Sequence, residues 1–135
     1  MANMIQLSIV TPEKNVVSGE ASIVMAPGSL GEFGVLVDHT PFLTSLKTGI
    51  VRYTGANGAE ESVFVSGGFA EALPDRMTIL AESAEAKAQI DVQRAEEAKA
   101  RAEKRLAESQ RDDVDEARAR AALNRALQRI HCCSL

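Results

Sequence analysis

The amino-acid sequence predicts an α+β fold, with an N-terminal antiparallel β-sandwich of many short strands over residues 1–85 and a C-terminal two-helix hairpin over residues 86–135. Two observations carry this. All nine glycines and all four prolines lie at or before Pro74, so turns are plentiful before that point and no helix breaker follows it. Before it, β-favouring residues come in short runs, whereas the stretch from Ala86 to Ile130 is rich in Ala, Glu and Arg with arginines at helical spacing.

A chain of 135 residues, 45% hydrophobic, fits one domain or a domain with an appendage. With no Trp, one Tyr and four Phe, the core rests on Val, Ile, Leu and Met. Every aromatic lies at or before Phe69, so the helices are expected to pack without aromatic anchors. The net charge is −4 but uneven: residues 1–86 hold 4 basic and 10 acidic side chains (−6), residues 87–135 hold 11 and 9 (+2). Past Glu116 no acid remains, while Arg118, Arg120, Arg125 and Arg129 follow, offering four positive charges to an anionic partner.

The first strand is expected at Ile5, where Ile5, Leu7 and Ile9 alternate with Gln6 and Ser8 before Thr11-Pro12-Glu13 breaks the pattern. Further runs are Val16–Ser18, Ala21–Ala26, Gly34–Val37, Phe42–Leu46, Ile50–Tyr53, Ser62–Val65, Phe69–Leu73 and Met77–Leu80. Pro27-Gly28, Thr48-Gly49, Asn57-Gly58, Gly67-Gly68 and Pro74-Asp75 supply the reversals between them, with Asn57-Gly58 the strongest hairpin signal.

The switch to helix is expected near Ala84. Asp91 is placed to cap a helix over Val92–Glu108, whose apolar stripe is Val92, Ala95, Ala98, Ala102 and Leu106. A break at residues 109–112 precedes Asp113, whose spacing to Glu116 suits a capping box, and Ala119, Leu123, Ala126, Leu127 and Ile130 form the facing stripe. Alanine stripes remove little apolar area, so at ~25 cal/mol per Å² the hairpin is held by only a few kcal/mol. It is either a switch that a ligand or partner moves or a static spacer.

Arg94, Arg101 and Arg105 stand at i, i+7 and i+11, and Arg118, Arg125 and Arg129 repeat those intervals. Each helix therefore carries a row of fork-shaped donors suited to a phosphate chain or an acidic helix. For the first helix the plainer reading is a solvated face with pairs such as Glu97 and Arg101. For the acid-free second helix a partner is the better reading.

Other chemistries find little footing. The Gly28, Gly31, Gly34 series lacks the Lys-Ser/Thr of a phosphate loop and leads into a strand, so it reads as turn geometry. No nucleophile elbow surrounds His39 or Ser66, no catalytic residues are assigned, and nothing offers a stacking platform for nucleic acid. Adjacent Cys132 and Cys133 cannot supply CxxC spacing; with His131 they read as a frayed end rather than a metal site. The N-terminus has neither a basic leader nor a long apolar run, and no segment approaches the ~18 apolar residues of a membrane span, so a cytosolic location is expected.

The run Gly31-Glu32-Phe33-Gly34-Val35-Leu36, then His39-Thr40-Pro41-Phe42-Leu43-Thr44-Ser45-Leu46-Lys47-Thr48-Gly49, and Ser66-Gly67-Gly68-Phe69 downstream, closely resembles the epsilon subunits of F-type ATP synthases. The order of parts, a sandwich followed by two helices, resembles them too. The resemblance implies a non-catalytic rotor subunit of the bacterial type, peripheral at the cytoplasmic face of the plasma membrane. Its sandwich would bind the gamma subunit and the c-ring, and membrane contact would come only through the complex. Its hairpin, when extended among the alpha and beta subunits, would inhibit ATP hydrolysis through the helix bearing Arg118, Arg120, Arg125 and Arg129. The other reading is a generic adaptor that docks a partner coiled coil.

By position, the resemblance assigns Glu32, His39, Pro41 and Phe42 to the loop region facing the c-ring. The family usually has Pro-Gly or Pro-Asn before this histidine, where the present chain has Val37-Asp38. Ile90-Asp91-Val92-Gln93-Arg94-Ala95 matches the Ile/Leu-Asp-x-x-Arg-Ala motif of members whose hairpin binds ATP. The accompanying positions fall on Glu85, Arg101, Arg125 and Arg129, allowing one inserted residue between the helices. No cofactor is required on this reading, and ATP is a regulatory ligand.

Overall fold

In the computed structural model residues 4–108 and 113–135 are described. Nine strands run β1 Ile5–Val10, β2 Asn15–Gly28, β3 Gly31–Val35, β4 Phe42–Leu46, β5 Gly49–Gly55, β6 Glu60–Ser66, β7 Gly68–Ala72, β8 Arg76–Leu80 and β9 Ser83–Ala86. A 3₁₀ turn, Lys87–Gln89, leads to the helices α1 Val92–Ala107 and α2 Asp113–Ser134. The expected break at 109–112 and the capping role of the Asp113 side chain fall outside what is described.

Strand order is β1-β8-β7-β4-β2-β5-β6-β9, with β3 on β2 and β1 also pairing β2. The two separate runs expected at Val16–Ser18 and Ala21–Ala26 form a single long strand, β2. Its first half pairs with β1 from Asn15 to Ala21, and its second half pairs with β5 and β3. A register irregularity between Ala21 and Ile23 accompanies this exchange of neighbours, as a bulge does when a strand turns from one layer to the next. One pair departs from the antiparallel expectation: β1 and β8 run parallel, Gln6 to Val10 against Arg76 to Leu80.

The alternation read at Ile5 holds: Ile5, Leu7 and Ile9 are fully buried beside Val24, Val51, Met77 and Ile79 in the main core. Thr11 ends the first strand by accepting, through Oγ1, from the backbone N–H groups of Glu13 and Lys14. Asn57-Gly58 closes β5 onto β6, with Gly58 at φ 81° and Asn57 Oδ1 accepting from Ala59 N at 3.0 Å. The Gly28–Gly31 pair likewise closes the β2–β3 hairpin. The residues near Ala84, where a switch to helix is expected, instead form β9 against β6; the 3₁₀ turn follows at Lys87, and α-helix begins only after Asp91. There Asp91 Oδ1 accepts from Arg94 N at 3.0 Å, satisfying one of the helix's free N–H groups.

The helices meet along alanines. Ala95 and Ala102 on α1 and Ala119 and Ala126 on α2, each pair seven residues apart, are the buried members of the expected stripes. Val92 and Leu127 are not: both remain exposed. Ala98, Leu106, Leu123 and Ile130 are only half-buried, so the fully buried part of the seam is small.

The tightest point in the sheet is Gly68, at φ +115°, where an added Cβ would stand 2.0 Å from the Leu80 carbonyl oxygen. Gly68→Ala is expected to combine left-handed strain with overpacking of the β7–β8 pair, lowering stability by about 2–4 kcal/mol. Urea unfolding followed by circular dichroism checks this; an unchanged midpoint contradicts it.

Candidate functional site

Strand β6 is where the two halves of the molecule join. Within Val63-Phe64-Val65, Val63 and Val65 face the main core, while Phe64 faces the other way, into a smaller cluster with Ile50, Ile90 and Cys132. That second face is covered because α2 lies over it: Cys132 is 0% exposed and Cys133 packs beside it. Two sequence expectations are corrected here. The cysteine end is not frayed, since it fills an apolar seat on the sheet; and the hairpin does have an aromatic anchor, supplied by the sheet rather than by the helices.

Polar contacts rim this seat. Arg129 Nε donates to Glu85 Oε1 at 2.5 Å, and the same guanidinium carbon lies 4.4 Å from the Phe64 ring centroid. Glu85 belongs to β9, opposite Phe64 in the ladder, so the strand missed in the sequence reading is what presents this carboxylate to α2. Lys87 Nζ donates to the Leu135 carbonyl oxygen. Burial pushes the Cys132 thiol up to about 11, helped by neighbouring Cys133 and opposed by Lys87 and a hydrogen bond with the Phe64 backbone.

The other arginines divide. Asp91, Gln93, Arg94, Glu97 and Arg101 line a shallow cleft of about 360 Å³ on α1. Of the residues assigned to ATP, three therefore share this cleft, Glu85 and Arg129 pair with each other, Ile90 is buried in the small cluster, and Arg125 is half-buried on α2. Among the described residues Arg94, Arg101 and Arg125 form no ion pair, and the expected Glu97–Arg101 pair is not made. Within α2, Glu116 and Arg120 pair at 2.7 Å, so that cation is neutralised locally; Arg118 is exposed.

The residues assigned to the c-ring gather at one end of the sandwich. Phe42 is packed edge-to-face on Phe33 at 5.1 Å and lies 5.0 Å from the His39 ring. His39 Nδ1 is 2.6 Å from the Thr40 carbonyl oxygen. This ring cluster braces the loop, leaving Pro41 exposed and exposed Glu32 in an ion pair with Arg52 at 3.3 Å. Leu30, at the neighbouring hairpin tip, is fully exposed and was not singled out from the sequence. Asp38 takes φ 66° and donates its N–H to the Pro74 carbonyl at 2.7 Å. The backbone thus demands a left-handed residue where the resembled family has Gly or Asn, and Asp is among the residues that tolerate it.

A separate groove of about 580 Å³ is mainly apolar, lined by Val10, Leu46, Phe69 and Leu80 among others, and Phe69 and Leu80 are exposed. Among the described residues no three His, Cys, Asp or Glu side chains cluster as metal ligands, and no helix is long and apolar enough to cross a membrane.

Comparison with known proteins assigns the fold and its two parts to one family. Residues 4–87 match the ATP synthase delta/epsilon chain β-sandwich domain, and residues 88–133 match the long α-helix domain of the same chain. The ATP synthase epsilon chain of Desulforapulum autotrophicum is 60% identical over 130 residues, covering 96% of both chains. That of Nitratidesulfovibrio vulgaris is 53% identical over the same length and coverage. The chain belongs to the ATP synthase epsilon chain family.

In fold, it resembles a chain of the Euglena gracilis mitochondrial ATP synthase (OSCP/F1/c-ring), with a TM-score of 0.80 at 21% identity over 92% of this chain and 78% of that one. It also resembles a chain of the Tetrahymena thermophila mitochondrial ATP synthase central stalk and c-ring, with a TM-score of 0.63 at 11% identity over 96% of each.

The Asp38 conformation is testable. Asp38→Val places a β-branched side chain at positive φ and is expected to cost about 1–3 kcal/mol, whereas Asp38→Gly is expected to be tolerated. Thermal unfolding of both variants decides; equal melting temperatures would remove the strain argument.

Proposed function

We propose that this epsilon-family chain, a non-catalytic subunit of ATP synthase, is a rotor component whose sandwich links gamma to the c-ring and whose hairpin restrains ATP hydrolysis. On this reading residues 1–85 carry the coupling role and residues 86–135 the regulatory one, in a proton-translocating complex at the cytoplasmic face of a bacterial plasma membrane. The observation that carries it is the joint at Phe64. A helix bearing Arg118, Arg125 and Arg129 is held on the sheet by one small apolar cluster and a few polar contacts, a docking weak enough to be reversed by a partner. The apolar groove around Phe69 and Leu80 is the surface offered to gamma. The end bearing Glu32, His39, Pro41 and Phe42 is offered to the c-ring. Alpha and beta subunits receive the second helix when it leaves.

ATP sensing is the finer part of the proposal. Asp91 caps α1 and Ile90 seals the joint, so Arg94, Arg101 and Arg125 are the cations left to meet phosphates, and Arg129 can join them only by exchanging Glu85 for the ligand.

Deleting residues 87–135 is expected to leave assembly of the complex intact while raising its ATP hydrolysis; unchanged hydrolysis defeats the inhibitory role. Titration of the full chain with ATP is expected to saturate, and Arg94→Ala to weaken binding about tenfold or more, since a charge-assisted hydrogen bond is lost. The backbone N–H that caps onto Asp91 survives that substitution. Absence of binding at millimolar ATP removes the sensor.

A further inference from the structure

We propose that Cys132 makes the docked position of the hairpin sensitive to thiol chemistry: its sulfur reacts only after α2 has left the sheet, and the group it then acquires keeps the helix from returning. The argument rests on the docking geometry and needs no nucleotide.

The Cys132 side chain is completely buried where, among the described residues, helix and sheet share a core, against Ile50, Phe64 and Ile90. Ile50 comes from β5, Phe64 from β6 and Ile90 from the entry to α1, so the seat is closed on three sides by different elements. Such an interior is close-packed, and even one extra methylene is strongly felt there. A substituent of several heavy atoms on the sulfur has no room. What opposes its expulsion is slight: the Glu85–Arg129 pair, the Arg129 stack on Phe64, and the Lys87 contact with Leu135. Overpacking at the seat therefore outweighs the contacts that hold the helix down.

The same burial protects the thiol while the helix is docked. The thiolate is the nucleophile, and a desolvated thiol gives little of it. Cys133, the next residue on the helix, is only half-buried and lies at the border of the cluster, so it reacts without undocking. The co-reactant is a low-molecular-weight disulfide, R–S–S–R. Once α2 leaves, Cys132 loses its proton to water and its thiolate attacks one sulfur of the reagent. A Cys132–S–S–R bond forms, the reagent's S–S bond breaks, and R–S⁻ departs and takes up a proton. Reduction by a free thiol reverses the exchange and frees the seat.

The test uses the full-length Cys133→Ser chain, so that Cys132 alone reports, with 5,5′-dithiobis(2-nitrobenzoate) as the disulfide. The native chain is expected to react at least tenfold more slowly than the same chain in denaturant. Adding Glu85→Gln, which weakens the Arg129 contact, is expected to raise the native rate several-fold. Hydrogen exchange on the modified chain is expected to show lost protection in β9 and in the last turn of α2, with β1, β8 and the paired middle of the hairpin still protected, restored by dithiothreitol. Reaction at the denatured rate, an unchanged rate with Glu85→Gln, or a modified chain with full protection of β9 and of the last turn of α2 each overturns the proposal. Loss of protection across the whole sheet also overturns it, because the modification would then unfold the chain rather than move the helix.

Discussion

The outward-facing Phe64 ring is the constraint on which the arrangement of the two halves depends. A strand in a two-layer sandwich ordinarily shows one face to the core and the other to water. Here Val63 and Val65 satisfy the core and Phe64 is left on the far side, a large apolar ring with no sheet to cover it. The helical hairpin solves this problem. It packs Cys132 into the cluster around the ring and sets the Arg129 guanidinium over its face, where a cation is attracted by the ring's quadrupole. Glu85, presented by β9, then fixes which way that guanidinium points.

The alanine seam and the Phe64 joint divide the work between them. Ala95, Ala102, Ala119 and Ala126 are the fully buried residues of the seam that pairs the helices. The joint decides where the pair rests. Since the two sets share no residue, the hairpin can leave the sheet without its helices parting.

Much of the fold was legible because it is written in local chemistry. Glycines at reversals, alternation in β1 and the carboxylate of Asp91 each act within a few residues, and all three are found where the sequence put them. What was not legible depends on distant neighbours. Ser83-Ala84-Glu85-Ala86 has no intrinsic strand preference and is a strand only because β6 offers it a ladder. Cys132 looked idle because nothing near it in the chain indicates that a ring sixty-eight positions earlier awaits it. One signal was available. Three consecutive apolar residues, Val63-Phe64-Val65, break the alternation of a half-buried strand and indicate cover on both faces. The arginine rows were visible, but periodicity alone could not separate Arg129, engaged at the joint, from Arg94 and Arg101, which line the α1 cleft.

The four residues of β9 are also the only covalent route from sandwich to helices, and this gives them a mechanical role. A pull on the hairpin would enter the sheet at Lys87 and meet the ladder at its Val63–Ala86 rung first. A load directed away from the sheet opens the rungs in sequence from that end, so each bond bears it alone. The strand peels before the main core feels the force. A short strand at the end of the sheet order thus takes the first strain of any load on the helices, ahead of the strands that enclose the main core.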